Sequence, residues 1–453
     1  MTQTTIREQL EQVVRNGTCT GCGACAALGD PSQIRMVSCE AGVIPEFSAT
    51  CLLPELAWAA CPGKGVDYPK LYQTHFGSLP TDWRVGHIDQ LWTGNAAEPQ
   101  VRRTGASGGV TSAVLIYLLE TGQIDGAILA KQGIPSPEQA SWFIARTRED
   151  VLSCAQSVYV PLSMLDALHH LIPGERYAMT CVPEQSAALR VMQHGGDTRA
   201  HQIDFVMGPY TGTALDRRAI RSLLRANQVA DDDAITSLKW RAGEWPGYLE
   251  VITVSGREIR SKKVYYNFLI PFYVTQTSLQ SMDFANEFTD LSVGDAWSPR
   301  FESLGQGFSV VASRTSKMTA ILEEMSTKGL LELESADVLE ASAMHGHMID
   351  FKKRGGYLRN QWRRKAGLAA PDYGLAPVGT DRSRVIVEVI ISSIFMICRT
   401  PLARWTMEHI PESILGPLFN KLRLIWKNAS KPAKRKGLRD LKMEIHTPNW
   451  PTR

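Results

Sequence analysis

The chain has little charge imbalance: 49 Lys and Arg stand against 46 Asp and Glu over 453 residues, a formal net charge of +3. No zinc-finger or RNA-binding signature interleaves aromatics with basic residues, so no nucleic-acid partner is expected. Internal repeats and low-complexity tracts are absent. Residues 1–16 are polar and carry Arg7, Glu8, Glu11 and Arg15, which does not read as a signal peptide. The longest apolar run, 385–398, is interrupted by Glu388, Ser392 and Ser393 and is too short for a comfortable membrane span. Of the nine cysteines several are bunched, which suits metal ligation in a reducing compartment better than a disulfide framework. A cytoplasmic location is the expectation. With 44% hydrophobic and 21% charged residues, the composition is that of a soluble globular protein with room for two or three domains.

What is present is a comb of thiols. Cys19-Thr20-Gly21-Cys22-Gly23-Ala24-Cys25 places a cysteine at every third position, and Gly21 and Gly23 let the backbone curl without Cβ clashes. One tight loop can thereby direct three thiolates at a single inorganic centre, with Cys61, followed by Pro62, as the candidate fourth ligand. Three comb cysteines plus a distant Cys-Pro is the ligand pattern of a bacterial-ferredoxin-type [4Fe-4S] cluster. Zinc is the main alternative, although its sites usually read as two separated Cys pairs and no second pair exists here. Plain structural thiols are the third reading. Cys39 and Cys51 read as ordinary thiols, because four ligands are already supplied.

Around the comb, residues 4–16 predict a helix, and 34–37 and 43–45 predict two short strands about the turn Glu40-Ala41-Gly42. Together they suggest a small ferredoxin-like module over 1–68. Residues 69–85, rich in turn formers, read as a linker. A larger α/β domain is expected over 86–370. A strand at 89–94, the loop 102–109, a helix at 110–119 and a buried strand at 124–130 make one unit of an α/β sheet. A helix at 162–171, a strand at 176–180 and a helix at 184–192 suggest a second unit, with further strands at 202–207, 249–254 and 309–313. The predicted class is α/β with a mixed sheet, carrying a helical, basic C-terminal extension over 371–453. In that extension Ile414, Leu415, Leu418, Phe419, Leu422, Leu424, Ile425 and Trp426 precede Lys427, Lys431, Lys434, Arg435, Lys436 and Arg439. An apolar-faced helix beside a basic cluster can lie on an anionic membrane surface. The preferred reading is a helix packed on the domain or a partner, with a solvated basic tail.

Ser107-Gly108-Gly109 precedes a predicted helix and forms a candidate anion site, where glycines admit close approach and the first helical amides are free. Beside an iron–sulfur cluster, a flavin is the usual converter between one-electron and two-electron chemistry. The order of motifs resembles the coenzyme F420 hydrogenase/dehydrogenase beta subunit family. The matching blocks are the comb, Cys61-Pro62-Gly63, Ser107-Gly108-Gly109-Val110 and Leu118-Leu119-Glu120-Thr121-Gly122-Gln123-Ile124-Asp125-Gly126. They continue with Gln156-Ser157-Val158-Tyr159, Cys181 with Gln185-Ser186-Ala187-Ala188-Leu189-Arg190, Trp240-Arg241 with Trp245-Pro246-Gly247, and Leu291-Ser292-Val293-Gly294-Asp295-Ala296-Trp297, covering about residues 15–370. Relatives include deazaflavin-reducing hydrogenase subunits, hydroxymethyl chlorophyll a reductase and ferredoxin-dependent divinyl chlorophyllide reductases, which carry FAD and one or two [4Fe-4S] clusters. The resemblance implies that Ser107, Gly108, Gly109 and Thr111 contact FAD, with Gln156, Ser157 and Tyr159 nearby and Asp295 lining the same pocket. Without it, Asp295 reads as part of a turn-forming Gly-Asp pair, Trp245-Pro246-Gly247 as a structural turn, and Trp240 and Trp297 as core aromatics.

The departures matter as much. Two-cluster relatives carry a Cys-x-x-Cys-x-Asp motif where this chain has Ser278-Leu279-Gln280-Ser281-Met282-Asp283. Another family cysteine falls near Thr211, which leaves only Cys181 of that quartet, and the family lysine after Gln156-Ser157 is replaced by Val158. A hydroxyl is not a thiolate, so one cluster is expected and no second. The resemblance implies an iron–sulfur flavoprotein that takes electrons from ferredoxin or a similar donor and reduces an unsaturated or carbonyl small molecule. The reverse flow, from reduced deazaflavin to the cluster, is the second reading. A degenerate, non-catalytic subunit of a membrane-associated biosynthetic complex is the third.

Overall fold

Gly126-Ala127-Ile128-Leu129 shows how the centre of the molecule is built. Ala127 and Leu129 join one buried cluster and Ile128 joins another, as the two-residue period of a strand requires. The computed structural model describes residues 5–262, 267–429 and 438–450. It opens with helix Ile6–Arg15, capped by Thr5 and Glu8 in a reciprocal box. The hairpin of β1 (Ile34–Cys39) and β2 (Gly42–Phe47) follows, antiparallel with Cys39 opposite Gly42.

The principal sheet has eight strands. In chain order they are β3 (Gln90–Ala96), β4 (Gly126–Gln132), β5 (Ala140–Ala145), β6 (Tyr177–Thr180) and β7 (Ile203–Pro209). A separate antiparallel sheet holds β8 (Ile235–Ala242), β9 (Tyr248–Thr253) and β10 (Glu258–Lys262), after which β11 (Leu291–Asp295), β12 (Ser309–Ser313) and β13 (Leu331–Ser335) return to the first. The spatial order is β13-β3-β12-β11-β7-β6-β4-β5. Strands β11, β7, β6 and β4 run parallel, and the flanking pairs are antiparallel. This is the expected mixed-sheet α/β class.

The two faces carry different loads. Helices Val110–Glu120 and Ser316–Thr327 cover one, where Val114, Leu118, Met318 and Leu322 meet Phe205, Met207 and Val311. On the other face Cys22, Ala24, Ala27 and Ala60 pack with Leu165, Leu168, Ala188, Leu189, Met179 and Val206. The cysteine comb is therefore seated directly on the sheet.

Several local expectations change. The stretch 69–85, read as a linker, holds helix Tyr68–Phe76, with Asp67 as N-cap, and buries Tyr68, Leu71 and Tyr72 against Phe288, Tyr373 and Leu375. Its aromatics outweigh its turn formers. The helix expected over 162–171 is a 3-10 turn, Leu165–His170. Residues 372–377 pack back on the N-terminal module: the Asp372 amide donates to the Lys64 carbonyl at 2.9 Å, and β14 (Leu375–Pro377) pairs with β15 (Met443–Ile445). A Cβ on Gly65 would sit 2.0 Å from the Asp372 carbonyl oxygen.

The apolar run 385–398 forms most of helix Arg382–Cys398, whose inner side buries Arg384 and Glu388 beside Ile391. Glu388 is fully buried there and binds Arg359 (2.5 Å) and Arg384 (2.8 Å); Arg384 also binds Asp350 at 2.7 Å. Lys431, Lys434, Arg435 and Lys436 lie outside the described residues, as do the side chains of Ile425, Trp426 and Lys427. Among the described residues no single helix is long and apolar enough to cross a membrane.

Candidate functional site

The comb curls because its glycines adopt conformations closed to other residues. Gly21 has φ +67 and Gly23 φ +90. A Cβ on Gly21 would lie 2.5 Å from the Val43 carbonyl oxygen, and one on Gly23 would lie 2.8 Å from the Asp166 amide nitrogen. Gly23 starts helix Ala24–Leu28, and the Cys22 carbonyl accepts the Leu165 amide at 3.0 Å. Cys61 follows helix Glu55–Ala59. The structure brings Cys19, Cys22, Cys25 and Cys61 together around one small cavity walled by Leu10, Val13, Met36, Pro45 and Ala57. Burial, joined by like-charge repulsion from Cys61, pushes the thiols of Cys19 and Cys22 up to about 12. Burial also raises Cys25 and Cys61, the latter opposed by the Lys64 ammonium. Thiolates here need a neutralising positive centre. Among the described residues no three His, Cys, Asp or Glu side chains converge at the spacing of a single metal ion; the four thiols surround a space. Cys39 is not on that wall, and Cys51 packs with Ala26 and Ile34.

Lys64 closes this side of the module. Its ammonium donates to the Gly65 carbonyl at 2.9 Å and stands 3.5 Å from the Trp450 ring centroid.

The second feature is a cavity of about 370 Å³, within the usual size range of small-molecule sites. It is lined by Ser107, Gly109, Thr111, Gln156, Ser157, Tyr159 and Asp295. Seven of the eight residues singled out for FAD thus line one cavity. Gly109, φ +76, precedes helix Val110–Glu120, which exposes its first amides there. Ser107 Oγ donates to the Phe308 carbonyl at 2.7 Å, and Ser309 Oγ donates to Ser107 Oγ at 3.0 Å. Gln156 holds φ +89, a conformation uncommon for a side-chain-bearing residue and concentrated at functional sites.

Gly108, the eighth, lies outside that lining. Its amide donates to Ser309 Oγ at 2.9 Å, and its carbonyl accepts the Ala96 amide at 2.7 Å. A Cβ on Gly108 would lie 2.6 Å from the Gly94 carbonyl oxygen, so this glycine serves the approach of the loop to β3.

Asp295 ends β11 and accepts Arg241 through both carboxylate oxygens, at 3.3 and 3.4 Å. Trp245 Nε1 donates to it at 3.4 Å, and the Trp245 and Trp297 rings lie 4.8 Å apart. Trp240 is buried and packs edge-on against Tyr159. Sequence reasoning gave Arg241 no role, although it stands in a quoted motif and lines the cavity. It also missed Lys352. Of the presumed second quartet, Cys181, Thr211 and Ser278 line this same cavity, and Ser281 does not. Thr20, inside the comb, lines both cavities.

Known proteins resemble the chain at three levels. Residues 91–169 match the N-terminal model of the coenzyme F420 hydrogenase/dehydrogenase beta subunit family, and residues 174–338 match its C-terminal model. The coenzyme F420-dependent sulfite reductase of Methanocaldococcus jannaschii is 23% identical over 347 residues, covering 73% of this chain and 50% of that protein. The chain therefore spans about half the length of the curated relative it matches. A chain from the F420-reducing [NiFe] hydrogenase complex of Methanosarcina barkeri shares the fold, with TM-score 0.50 and 20% identity over 64% of this chain and 97% of that one. With both halves of the family model matched across more than half of its length, the chain belongs to the coenzyme F420 hydrogenase/dehydrogenase beta subunit family.

Proposed function

We propose that the protein is an iron–sulfur flavoprotein oxidoreductase in which Cys19, Cys22, Cys25 and Cys61 hold one [4Fe-4S] cluster and the large cavity holds FAD. The observation that carries this reading is Thr20, which lines both the thiol cavity and the large cavity. When bound, the cluster supplies single electrons and the flavin converts them to two-electron chemistry. The residues divide the remaining work. Four thiols around a space suit a multi-atom centre, and the apolar wall of Leu10, Val13 and Met36 keeps water from it. Gly109 and helix Val110–Glu120 present free amides to an anionic group. Arg241 fixes Asp295 at the cavity wall.

Ferredoxin or a similar donor on one side, and an unsaturated or carbonyl small molecule on the other, complete the first reading. A second reading, oxidation of reduced deazaflavin, is supported by the name of the sulfite reductase relative, which is F420-dependent. Anaerobic purification with iron, sulfide and flavin analysis tests the common core: about four irons and one FAD per chain are expected. Close to eight irons would place a second cluster in the chain, and absence of flavin would remove the reading. A deazaflavin-reduction assay separates the two directions.

The location we propose is peripheral, on an anionic membrane surface. Twelve of the 21 large exposed apolar side chains among the described residues lie between 386 and 424, including Ile386, Ile390, Ile394, Met396, Leu402 and Trp405. Residues 399–439 contain ten Lys and Arg against two Asp and Glu, a surplus of eight in a chain whose total is +3. Apolar side chains and basic charge in one segment match an anionic lipid surface better than a neutral protein face.

A further inference from the structure

Three consecutive cations are buried on one turn of helix. Lys352, Lys353 and Arg354 are each 1% exposed, on the π-helix Phe351–Gly356, a rare geometry found frequently at functional sites. Burying a charge is tolerated where a counter-charge meets it. Lys353 has Glu287, and Arg354 has Asp350. Lys352 forms no ion pair among the described residues. Its ammonium donates to the Ser278 carbonyl at 2.8 Å, which leaves two of its three N–H donors.

Lys352 lines the large cavity, together with Thr211, Thr275, Thr277, Ser278 and Glu184. The hydroxyls there are turned to one another: Thr275 Oγ1 donates to Ser278 Oγ at 2.7 Å, and Ser278 Oγ accepts the Ala214 amide at 2.9 Å. They neutralise nothing. Burial holds the amine down to about 8, with Glu184 and Asp283 opposing that shift and Arg359 adding to it. It is therefore charged at neutral pH.

We propose that the Lys352 end of the large cavity is an oxyanion subsite, which takes the carboxylate or phosphate group of the molecule held there. The proposal deepens the flavoprotein reading, because the anion is either part of the substrate or the phosphates of the flavin nucleotide. It needs only that the cavity binds a ligand.

The test uses the full chain, with Lys352→Met to remove the charge at similar length and Lys352→Arg to keep it. Sulfate is titrated calorimetrically against chloride at constant ionic strength, and FAD and riboflavin are titrated separately. Wild type and Lys352→Arg should bind one sulfate, and Lys352→Met should bind it at least tenfold more weakly. If Lys352→Met also loses tenfold or more in FAD affinity with riboflavin unchanged, the anion belongs to the flavin. If FAD is unaffected and sulfate alone is lost, the anion belongs to the substrate. A protein that binds no flavin yet binds sulfate through Lys352 keeps the subsite and loses the flavoprotein reading. Should Lys352→Met fail to fold, wild type decides: sulfate affinity should fall tenfold per pH unit above about 8. Equal sulfate binding by wild type and Lys352→Met, a flat pH profile, or no sulfate binding with FAD unchanged would each overturn the proposal.

Discussion

Replacing Glu388 with Leu strands one buried guanidinium and weakens the setting of another. Arg384 keeps Asp350 at 2.7 Å, but Arg359 is left with the Leu279 and Phe351 carbonyls and the Phe351 ring, with no carboxylate bound to it among the described residues. Removing one partner of a buried pair typically costs about 3–5 kcal/mol, because the remaining charge stays desolvated. Glu388→Leu should therefore destabilise the docking of helix Arg382–Cys398 by roughly that amount. Adding Arg359→Met converts the pair to two apolar side chains of similar volume and should recover most of the loss, a coupling of about 2–3 kcal/mol. Hydrogen exchange of the amides in this helix reads its local opening free energy, and urea midpoints of the four proteins in the cycle give the global counterpart. A Glu388→Leu change below about 0.5 kcal/mol, or an Arg359→Met effect that adds to it, would refute the reasoning.

Gly108→Val places side-chain atoms against the Gly94 carbonyl and Asn95 Cα of β3. It should shift the loop 105–109 and lower flavin retention about tenfold or more while iron content stays unchanged; unchanged flavin would remove the loop from the site. His345 is buried, which lowers its pKa from 6.5 to about 4 against the opposing pull of Asp295. Its contribution is present above pH 6.5 and is lost as pH falls towards 4, about 3 kcal/mol in all. His345→Phe should flatten that acid limb in unfolding curves, and an identical slope would exclude the histidine as its cause. Replacing Ile386, Ile390 and Ile394 with Gln should release the protein from anionic vesicles, as should added salt, since each nearby basic residue contributes about 1 kcal/mol of screened attraction. Wild-type protein that ignores such vesicles at low salt would end the membrane reading.

Much of this molecule is legible locally. The strand at β4 and the helix Val110–Glu120 follow from short-range pattern, and the glycines of the comb announce a turn that nothing else can make. The hairpin of β1 and β2 was readable because Glu40-Ala41-Gly42 sits between two apolar stretches. The edge strands were harder. In β13 only Leu331 is buried, Leu333 is half-buried and the two glutamates face water, so the segment resembles a surface loop. Long-range charge was illegible: Glu388 looks like an interruption in an apolar run until Arg359 and Arg384 are seen on either side. Likewise nothing in the sequence around Lys352-Lys353-Arg354 announces burial, and only the fold shows all three buried.

The contact of Lys64 with Trp450 has a consequence for how the protein is made. Cys61 leaves the ribosome 389 residues before Trp450, which donates its indole N–H to the Asp372 carbonyl at 3.0 Å and covers Lys64. At about 5–20 residues per second, synthesis of the intervening stretch takes roughly 20–80 seconds. Throughout that interval Lys64, three residues beyond Cys61, lacks its Trp450 cover. If the four thiols hold the proposed cluster, its assembly can therefore precede the docking of Trp450 on Lys64.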